Sequence, residues 1–320
     1  MEEPPAMPLV SIPDDAPPVL AASAAWDTLR DFAATRYHDT LPGSEDALIE
    51  RIAGAGAVLN IRSSTRFTDS VFASVPGLRL VSVWGTGTDH VDLAAAARHR
   101  IAIANTPGVS AVSIAEHALA LLFAVARRVP ETDTLTRGGA WPRGRFLQLG
   151  GKTCGVIGYG AVGREFARLA GAIGMRVIAW TLHPERYPAV AFVPLEELYT
   201  TADVVSLHLR LSEETRGFLG AEQLARMKPS AILVNTARGA IVDEGALIQA
   251  LCAGRIAGAG LDVFTEEPLP RGAAILDAPN VVVSPHCAGI TPEALEAGLA
   301  LAVENIRAFF SGRPQYLAGR

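Results

Sequence analysis

Cysteine is scarce in this chain. Cys154, Cys252 and Cys287 form an odd, scattered set without metal-ligand spacing, so buried cytosolic thiols are expected rather than a disulfide framework or a metal centre. Charge is sparse too, at 19% of residues with a net of −5. Neutralising phosphates needs clustered Lys and Arg, so no nucleic-acid partner is expected. The most apolar run, Ile114–Val125, is broken by Glu116 and His117 and is too short to span a bilayer. At the start, Glu2, Glu3 and several prolines stand where a signal peptide would carry a basic region and an apolar stretch. No repeat or low-complexity segment occurs. What is abundant is apolar: 49% of 320 residues, enough to fill the cores of two domains.

The chain is organised around Gly155–Met175. Thr153–Ile157 is short and β-prone, as a buried parallel strand should be. Phe166, Leu169, Ala170 and Ile173 recur at helical spacing, so Gly158, Gly160 and Gly163 sit where a strand turns into a helix. The first glycine allows the tight turn, the second lets a phosphate approach the backbone, and the third lets helix and strand pack closely. The helix N-terminus then offers N–H groups to a pyrophosphate. Gly151-Lys152-Thr153 is no P-loop, because position 146 is Phe and the Lys precedes the strand.

Taken in order, residues 1–18 read as a mobile, acidic, proline-rich lead-in around one strand at Leu9–Ile12. Residues 19–104 alternate helical stretches (Asp46–Ala53, Thr68–Ser74) with strands (Ala57–Ile61, Arg79–Trp84), which suits a small α/β domain with a parallel sheet. Two strand ends there, Arg62-Ser63-Ser64-Thr65 and Trp84-Gly85-Thr86-Gly87-Thr88-Asp89, are either carboxylate-binding nests or ordinary loops. Ser113–Val129 is a long apolar helix that must be buried on several sides, between domains or subunits. His117 on it reads as packed or locally hydrogen-bonded rather than catalytic. Gly138–Leu149, with Trp141, reads as a loop or arm. From Gly151 the pattern is β-α-β throughout, with six strands in a doubly wound sheet. Ligands bind outside the carboxyl ends of such strands, which are occupied here by Thr181, His208, Arg210, Ala237, Arg238, Asp262 and His286. Arg238 has the fork to clamp a carboxylate in two-point fashion. His286 can exchange an alcohol proton, and Asp262–Pro268 supplies carboxylates to orient and charge it.

With these residues placed, the sequence resembles the D-isomer-specific 2-hydroxyacid dehydrogenases. The similarity runs from about Arg62 to about Gly289 through four long motifs. These are Gly155–Gly163, Asn235–Glu244 (Asn-Thr-Ala-Arg-Gly-Ala-Ile-Val-Asp-Glu), Gly258–Phe264 (Gly-Ala-Gly-Leu-Asp-Val-Phe) and Ser284–Gly289 (Ser-Pro-His-Cys-Ala-Gly). The resemblance implies two Rossmann-like α/β domains. Residues 1–104 with 287–320 would form a smaller, flavodoxin-like substrate domain closed by the C-terminal segment. Residues 105–286 would form the doubly wound NAD(P)-binding domain. Arg238, Glu267 and His286 would be the catalytic Arg, Glu and His, with Glu267 preferred over Glu266 because the family's Glu precedes a Pro. Cofactor contacts would come from Gly158, Gly160, Ala161, Val162, Gly163, Thr181, His208, Arg210, Ala237, Asp262 and Gly289, with Asp262 at the nicotinamide carboxamide. Arg62, Ser63, Gly85, Thr86 and Gly87, with Arg238, would bind the substrate. The apolar helix would support a homodimer. The implied protein is a cytoplasmic NAD(P)-dependent enzyme of small D-2-hydroxy or 2-oxo acids, of the glyoxylate/hydroxypyruvate reductase kind.

Three departures stand out. Thr181 replaces the Asp that would bond the adenosine ribose, which removes a repulsion toward a 2′-phosphate and slightly favours NADP(H). Arg210 replaces a usual Pro, and with the sequence ending near residue 320 no room is expected for the regulatory C-terminal domain of some relatives. Two rivals share the fold: a cofactor-sensing corepressor, and a formate-type dehydrogenase, against which Glu267 argues.

Overall fold

A computed structural model describes residues 7–144, 146–187 and 191–319. The chain forms two compact units, residues 1–110 with 291–320 and residues 111–290, so the crossings fall at Ser110 and Ile290 rather than at 104 and 286.

The first unit carries parallel strands β1 (Leu9–Ile12), β2 (Ala34–Tyr37), β3 (Ala57–Asn60), β4 (Leu80–Val83) and β5 (Ala102–Ala104). Helices α1 (Ala24–Arg30), α2 (Glu45–Ile52), α3 (Asp69–Ser74) and α4 (Leu93–Arg98) connect them. The order β2-β1-β3-β4-β5 is the flavodoxin-like winding, whose reversal lies between β1 and β3. One core is closed by α1 and the C-terminal helix Pro292–Phe310, the other by α2, α3 and α4. The sequence reading assigned no element to Pro292–Phe310, although Thr291 caps it and Pro292 opens it, a legible start signal.

The expected mobile lead-in is corrected. Residues 1–6 lie outside the described residues, but β1 pairs with both β2 and β3, and Asp14 and Asp15 behind it are fully buried. The Asp14 carboxylate accepts N–H bonds from Ile61 (3.0 Å) and Arg62 (3.1 Å) and one from Asn60 Nδ2 (2.5 Å). Asn60 Oδ1 in turn meets His90 Nε2 at 2.8 Å. Asp15 accepts from Val19 and Leu20 N–H and from Tyr37 Oη. Buried carboxylates persist only with such partners, and these lock the end of β1 to the end of β3.

The second unit begins with α5 (Ala111–Arg127) and α6 (Val129–Arg137). The expected helix to Val129 stops two residues early, because Arg128 turns left-handed and Pro130 opens the next helix. Six parallel strands follow: β6 (Thr153–Ile157), β7 (Arg176–Trp180), β8 (Val204–Leu207), β9 (Ile232–Asn235), β10 (Gly258–Leu261) and β11 (Val281–Val283). Their order is β11-β10-β9-β8-β6-β7. Helices α7 (Ala161–Ala172), α8 (Leu195–Thr201), α9 (Ala221–Arg226) and α10 (Glu244–Cys252) complete the unit. One core lies under α5 and α7, the other under α8, α9 and α10, so the sheet is wound on both faces. Strands β6, β8, β9 and β10 are buried along their whole length, as parallel strands covered on both faces must be. No helix among the described residues is long and apolar enough to cross a membrane.

Candidate active site

The winding of the second sheet reverses between β6 and β8, and the glycine turn lies at the carboxyl end of β6, at that reversal. Each glycine has a distinct reason to be one. Gly158 has φ +95°, and a Cβ on it would meet the His208 carbonyl oxygen at 2.6 Å. A Cβ on Gly163 would lie 1.9 Å from the Gly158 carbonyl oxygen, so α7 packs on its own turn only without one. Around Gly160 nothing lies within 4 Å of where a Cβ would be. Gly160 is also the N-cap of α7 and offers no side-chain hydrogen bond, so the first N–H groups of the helix have no side-chain cap at the positive end of the helix dipole. An open backbone at a helix N-terminus without a side-chain cap fits a dinucleotide pyrophosphate.

The other cofactor candidates fall at neighbouring strand ends. Thr181 follows β7 and is half-buried. Beyond it His183 and Arg186 are exposed, and both face Glu185, at 3.4 Å and 3.9 Å. Arg210 is exposed in the loop after β8, where its carbonyl accepts the Thr215 hydroxyl at 2.7 Å. His208 is not an open acid or base. Its ring packs 5.0 Å from Phe166, its Nε2 meets Ser206 Oγ at 2.9 Å, and burial pushes the imidazole down to about 3.

Arg238, Glu267 and His286 come together within this one unit. Arg238 follows β9, and the buried Asn235 side chain shapes its loop by accepting Ala237 N–H and donating to the Arg238 carbonyl, both at 3.0 Å. Gly239 must be glycine, since a Cβ there would strike the Phe264 backbone at 2.0 Å. That contact seats the Arg238 loop on the segment that carries Glu267. His286 Nδ1 lies 2.7 Å from Glu267 Oε2, and Glu267 Oε1 accepts the Phe264 N–H at 2.9 Å. Burial alone would raise the Glu267 carboxyl. The hydrogen bonds from His286 and Phe264, with the charges of His286 and Arg238, outweigh it and hold the group below the ordinary carboxylate range. With Nδ1 committed to Glu267, Nε2 is the imidazole nitrogen left to exchange a proton. Glu266 makes no such contact and is exposed.

His286 itself is left-handed, φ +51°, an uncommon conformation for a residue with a side chain. Its N–H donates to the Asp262 carbonyl at 2.8 Å. The fully buried Asp262 carboxylate accepts from Cys287 N–H (3.0 Å), Ala288 N–H (2.9 Å) and the Ser284 hydroxyl (2.6 Å). Gly289 follows in the turn closed by Ile290 N–H on the Cys287 carbonyl. Asn235 and Ser284 both lie inside the quoted motifs, yet neither was singled out as a site residue. The expectation of buried thiols holds for Cys154 alone, since Cys252 is exposed and Cys287 half-buried.

In the first unit, the Arg62 guanidinium is largely buried against Asp15 (3.9 Å) and the Pro17 carbonyl, and the backbone N–H of Arg62 is taken by Asp14. Ser63 beside it is exposed. Gly85, at φ +125°, donates its N–H to Thr106 Oγ1 at 2.7 Å, and Asn105 Nδ2 donates to the Thr86 carbonyl. Among the described residues no acceptor is found for the N–H of Thr86 or Gly87.

Residues 119–288 match the family model described as "D-isomer specific 2-hydroxyacid dehydrogenase, NAD binding domain". The chain is 40% identical over 291 residues to a glyoxylate reductase of Korarchaeum cryptofilum, covering 88% of this chain and 87% of that one. It is 38% identical over 302 residues to a glycerate dehydrogenase of Methylorubrum extorquens, covering 90% and 94%. Among solved structures it is similar to the NADPH-dependent glyoxylate/hydroxypyruvate reductase of Sinorhizobium meliloti in complex with NADP and malonate. That match has a TM-score of 0.85 and 28% identity over 98% of this chain and 97% of that one.

Proposed function

The chain belongs to the D-isomer-specific 2-hydroxyacid dehydrogenases, an NAD(P)-dependent oxidoreductase of small 2-hydroxy or 2-oxo acids, and we propose that it works as a glyoxylate or hydroxypyruvate reductase. The observation that carries this reading is the 2.7 Å pair of His286 and Glu267 beside Arg238, at the same sheet edge as the glycine turn. A bound nicotinamide supplies the hydride. In reduction, the His286 imidazolium gives its Nε2 proton to the carbonyl oxygen. Glu267 stays ionised against Nδ1, fixing the tautomer and favouring the charged ring. Arg238 holds the substrate carboxylate with two parallel N–H bonds and so orients the carbonyl toward His286. In oxidation the same ring, neutral, takes the proton back.

The second unit is read as the NAD(P)-binding domain and the first as the substrate domain, where Ser63 and the N–H groups of Thr86 and Gly87 are donors suited to a carboxylate. Arg62 is then a brace that holds Ser63 through Asp14 and Asp15. The cofactor is read as NADP(H) at least as readily as NAD(H). Thr181 offers a hydroxyl without a charge, and His183 and Arg186 lie within reach of a 2′-phosphate that competes with Glu185. Val112, Phe123, Val129 and Leu135 of α5 and α6, with Trp141 at 76% exposure, are large apolar side chains open to solvent. They are what a homodimer would cover. Three unpaired thiols suit a cytoplasmic location.

The names of the similar proteins are those of enzymes, which favours catalysis over a cofactor-sensing corepressor. The test is a panel of 2-oxo acids with NADPH and with NADH, scored by kcat/KM and by product configuration. Preference for glyoxylate or hydroxypyruvate supports the substrate, and D-glycerate from hydroxypyruvate supports the stereochemistry. Preference for a bulky 2-oxo acid would redirect the substrate while leaving the reaction class in place.

A further inference from the structure

Behind the His286 loop lies a polar cluster that the proton transfer does not use. His117 of α5 places Nε2 2.7 Å from Ser284 Oγ and 3.5 Å from Asp262 Oδ1. Ser284 Oγ lies 2.6 Å from the same Asp262 oxygen. The directions follow from the donor inventory. A carboxylate accepts only, so the single Ser284 proton goes to Asp262, and the Ser284 oxygen accepts from His117 Nε2–H. The hydrogen bonds therefore all point one way, from His117 to Ser284 to Asp262.

Asp262 grips the catalytic loop from both sides. Its carbonyl takes the His286 N–H, and its carboxylate takes the N–H groups of the next two residues, Cys287 and Ala288. These bonds hold a non-glycine residue at φ +51°, a conformation that persists only where surrounding contacts over-determine it. A ring nitrogen of His117, a carboxylate oxygen of Asp262 and Cys287 Sγ lie within 4.8 Å of one another, a spacing that a metal site could also have. Here His117 Nε2 and Asp262 Oδ1 already hydrogen-bond Ser284, and burial, with the charge and hydrogen bond of Asp262, pushes the Cys287 thiol up. The cluster is complete as a hydrogen-bonded unit.

We infer that Ser284 and His117 are positioning residues for His286: anchored on α5, they fix the Asp262 carboxylate, which fixes the loop that aims the imidazole at Glu267. The inference rests on the reading of His286 as the proton-transfer residue. Sequence distance hides it, since His117 and Ser284 are 167 positions apart.

The test compares Ser284→Ala with Ser284→Thr, and His117→Leu with His117→Gln, in the full-length enzyme. Two readouts are taken: steady-state reduction of glyoxylate at saturating NADPH, and the His286 Nδ1–H proton resonance, assigned by its loss in His286→Gln. Ser284→Ala should lower kcat about 10- to 100-fold, the loss expected for one hydrogen bond to an ionised group, while the KM for cofactor changes by about twofold or less. The Nδ1–H signal should broaden or vanish. Ser284→Thr, which keeps the hydroxyl, should restore both, and His117→Gln, which keeps an N–H donor, should outperform His117→Leu. If Ser284→Ala does not fold, the His117 pair carries the same comparison. An unchanged kcat and sharp Nδ1–H signal in Ser284→Ala would overturn the inference, as would a defect confined to cofactor KM or a Thr variant no better than Ala. The resonance reads the cluster without turnover, so a wild-type protein inactive on every 2-oxo acid would sink the functional reading while leaving this test standing.

Discussion

Replacing Glu267 by Gln removes one charge and almost no volume, and its consequence can be worked from the geometry. The carboxylate meets His286 Nδ1 at 2.7 Å and Phe264 N–H at 2.9 Å. An amide can keep one of these as an acceptor, but then sets its NH2 against the other donor. A hydrogen bond to a charged partner contributes about 1.5–3 kcal/mol. Here the side chains are 34% and 35% exposed, so solvent screening brings the figure to about 1–1.5 kcal/mol. At about 1.4 kcal/mol per tenfold in rate, that is a loss of about tenfold in kcat/KM for reduction. The sign follows from what each direction requires. Reduction needs the imidazolium, whose counter-charge is lost, so the alkaline limb of kcat/KM should move to lower pH. Oxidation needs the neutral ring, so its acid limb should move the same way and low-pH oxidation should be spared. Both profiles are measurable on one preparation. Limbs that stay in place with undiminished activity, or that move to higher pH, would refute the pairing.

Arg238→Lys keeps the charge and loses the fork, so kcat/KM for the 2-oxo acid should fall by roughly 2–4 kcal/mol, the range for a buried charged pair. An intact kcat/KM would remove Arg238 as the clamp. The glycines of the turn should separate cleanly. Gly160→Ala meets no atom and should keep its Tm while weakening NADPH binding in a fluorescence titration. Gly163→Ala drives a Cβ to 1.9 Å from the Gly158 carbonyl and should destabilise by about 1–3 kcal/mol or more, read as a lowered Tm. Equal behaviour of the two would contradict the assigned roles. Glu185→Gln releases His183 and Arg186 from their shared carboxylate and should raise the ratio of NADPH to NADH in kcat/KM, by up to about fivefold for one exposed charge. An unchanged ratio would place the 2′-phosphate away from this loop.

The second unit was legible because its strands are short apolar runs with ionisable residues just past their ends. Val281–Val283 followed by Ser284-Pro285-His286 reads as a strand and a site without any tertiary knowledge. In the lead-in the strand Leu9–Ile12 stands as expected, but the mobility expected of residues 13–18 behind it does not, for an equally physical reason. Acidic, proline-rich composition argues for solvent, and nothing local tells that the N–H groups of Ile61 and Arg62 will satisfy Asp14. Strand β2, Ala34-Thr-Arg-Tyr, lies at the edge of its sheet and alternates too weakly to announce itself. The end of α5 turned on one left-handed residue, Arg128, which has no sequence signature beyond the following Pro130. At the site, residue identity pointed to Glu267 only through the resemblance, whereas the 2.7 Å contact with His286 now distinguishes it from Glu266 on geometry alone. The role of Ser284 depends on three elements meeting, and no local pattern encodes that.

The most direct test of the central claim is the oxidation of NADPH or NADH on addition of glyoxylate or hydroxypyruvate, followed by loss of nicotinamide absorbance in wild type and in His286→Ala. The account predicts turnover by wild type with one of these acids. It also predicts that the Ala variant binds cofactor normally but loses turnover by about 100-fold or more, the lower end of what a positioned acid-base group supplies. A wild-type protein that binds cofactor yet reduces neither acid, or an Ala variant that turns over as fast as wild type, would contradict it.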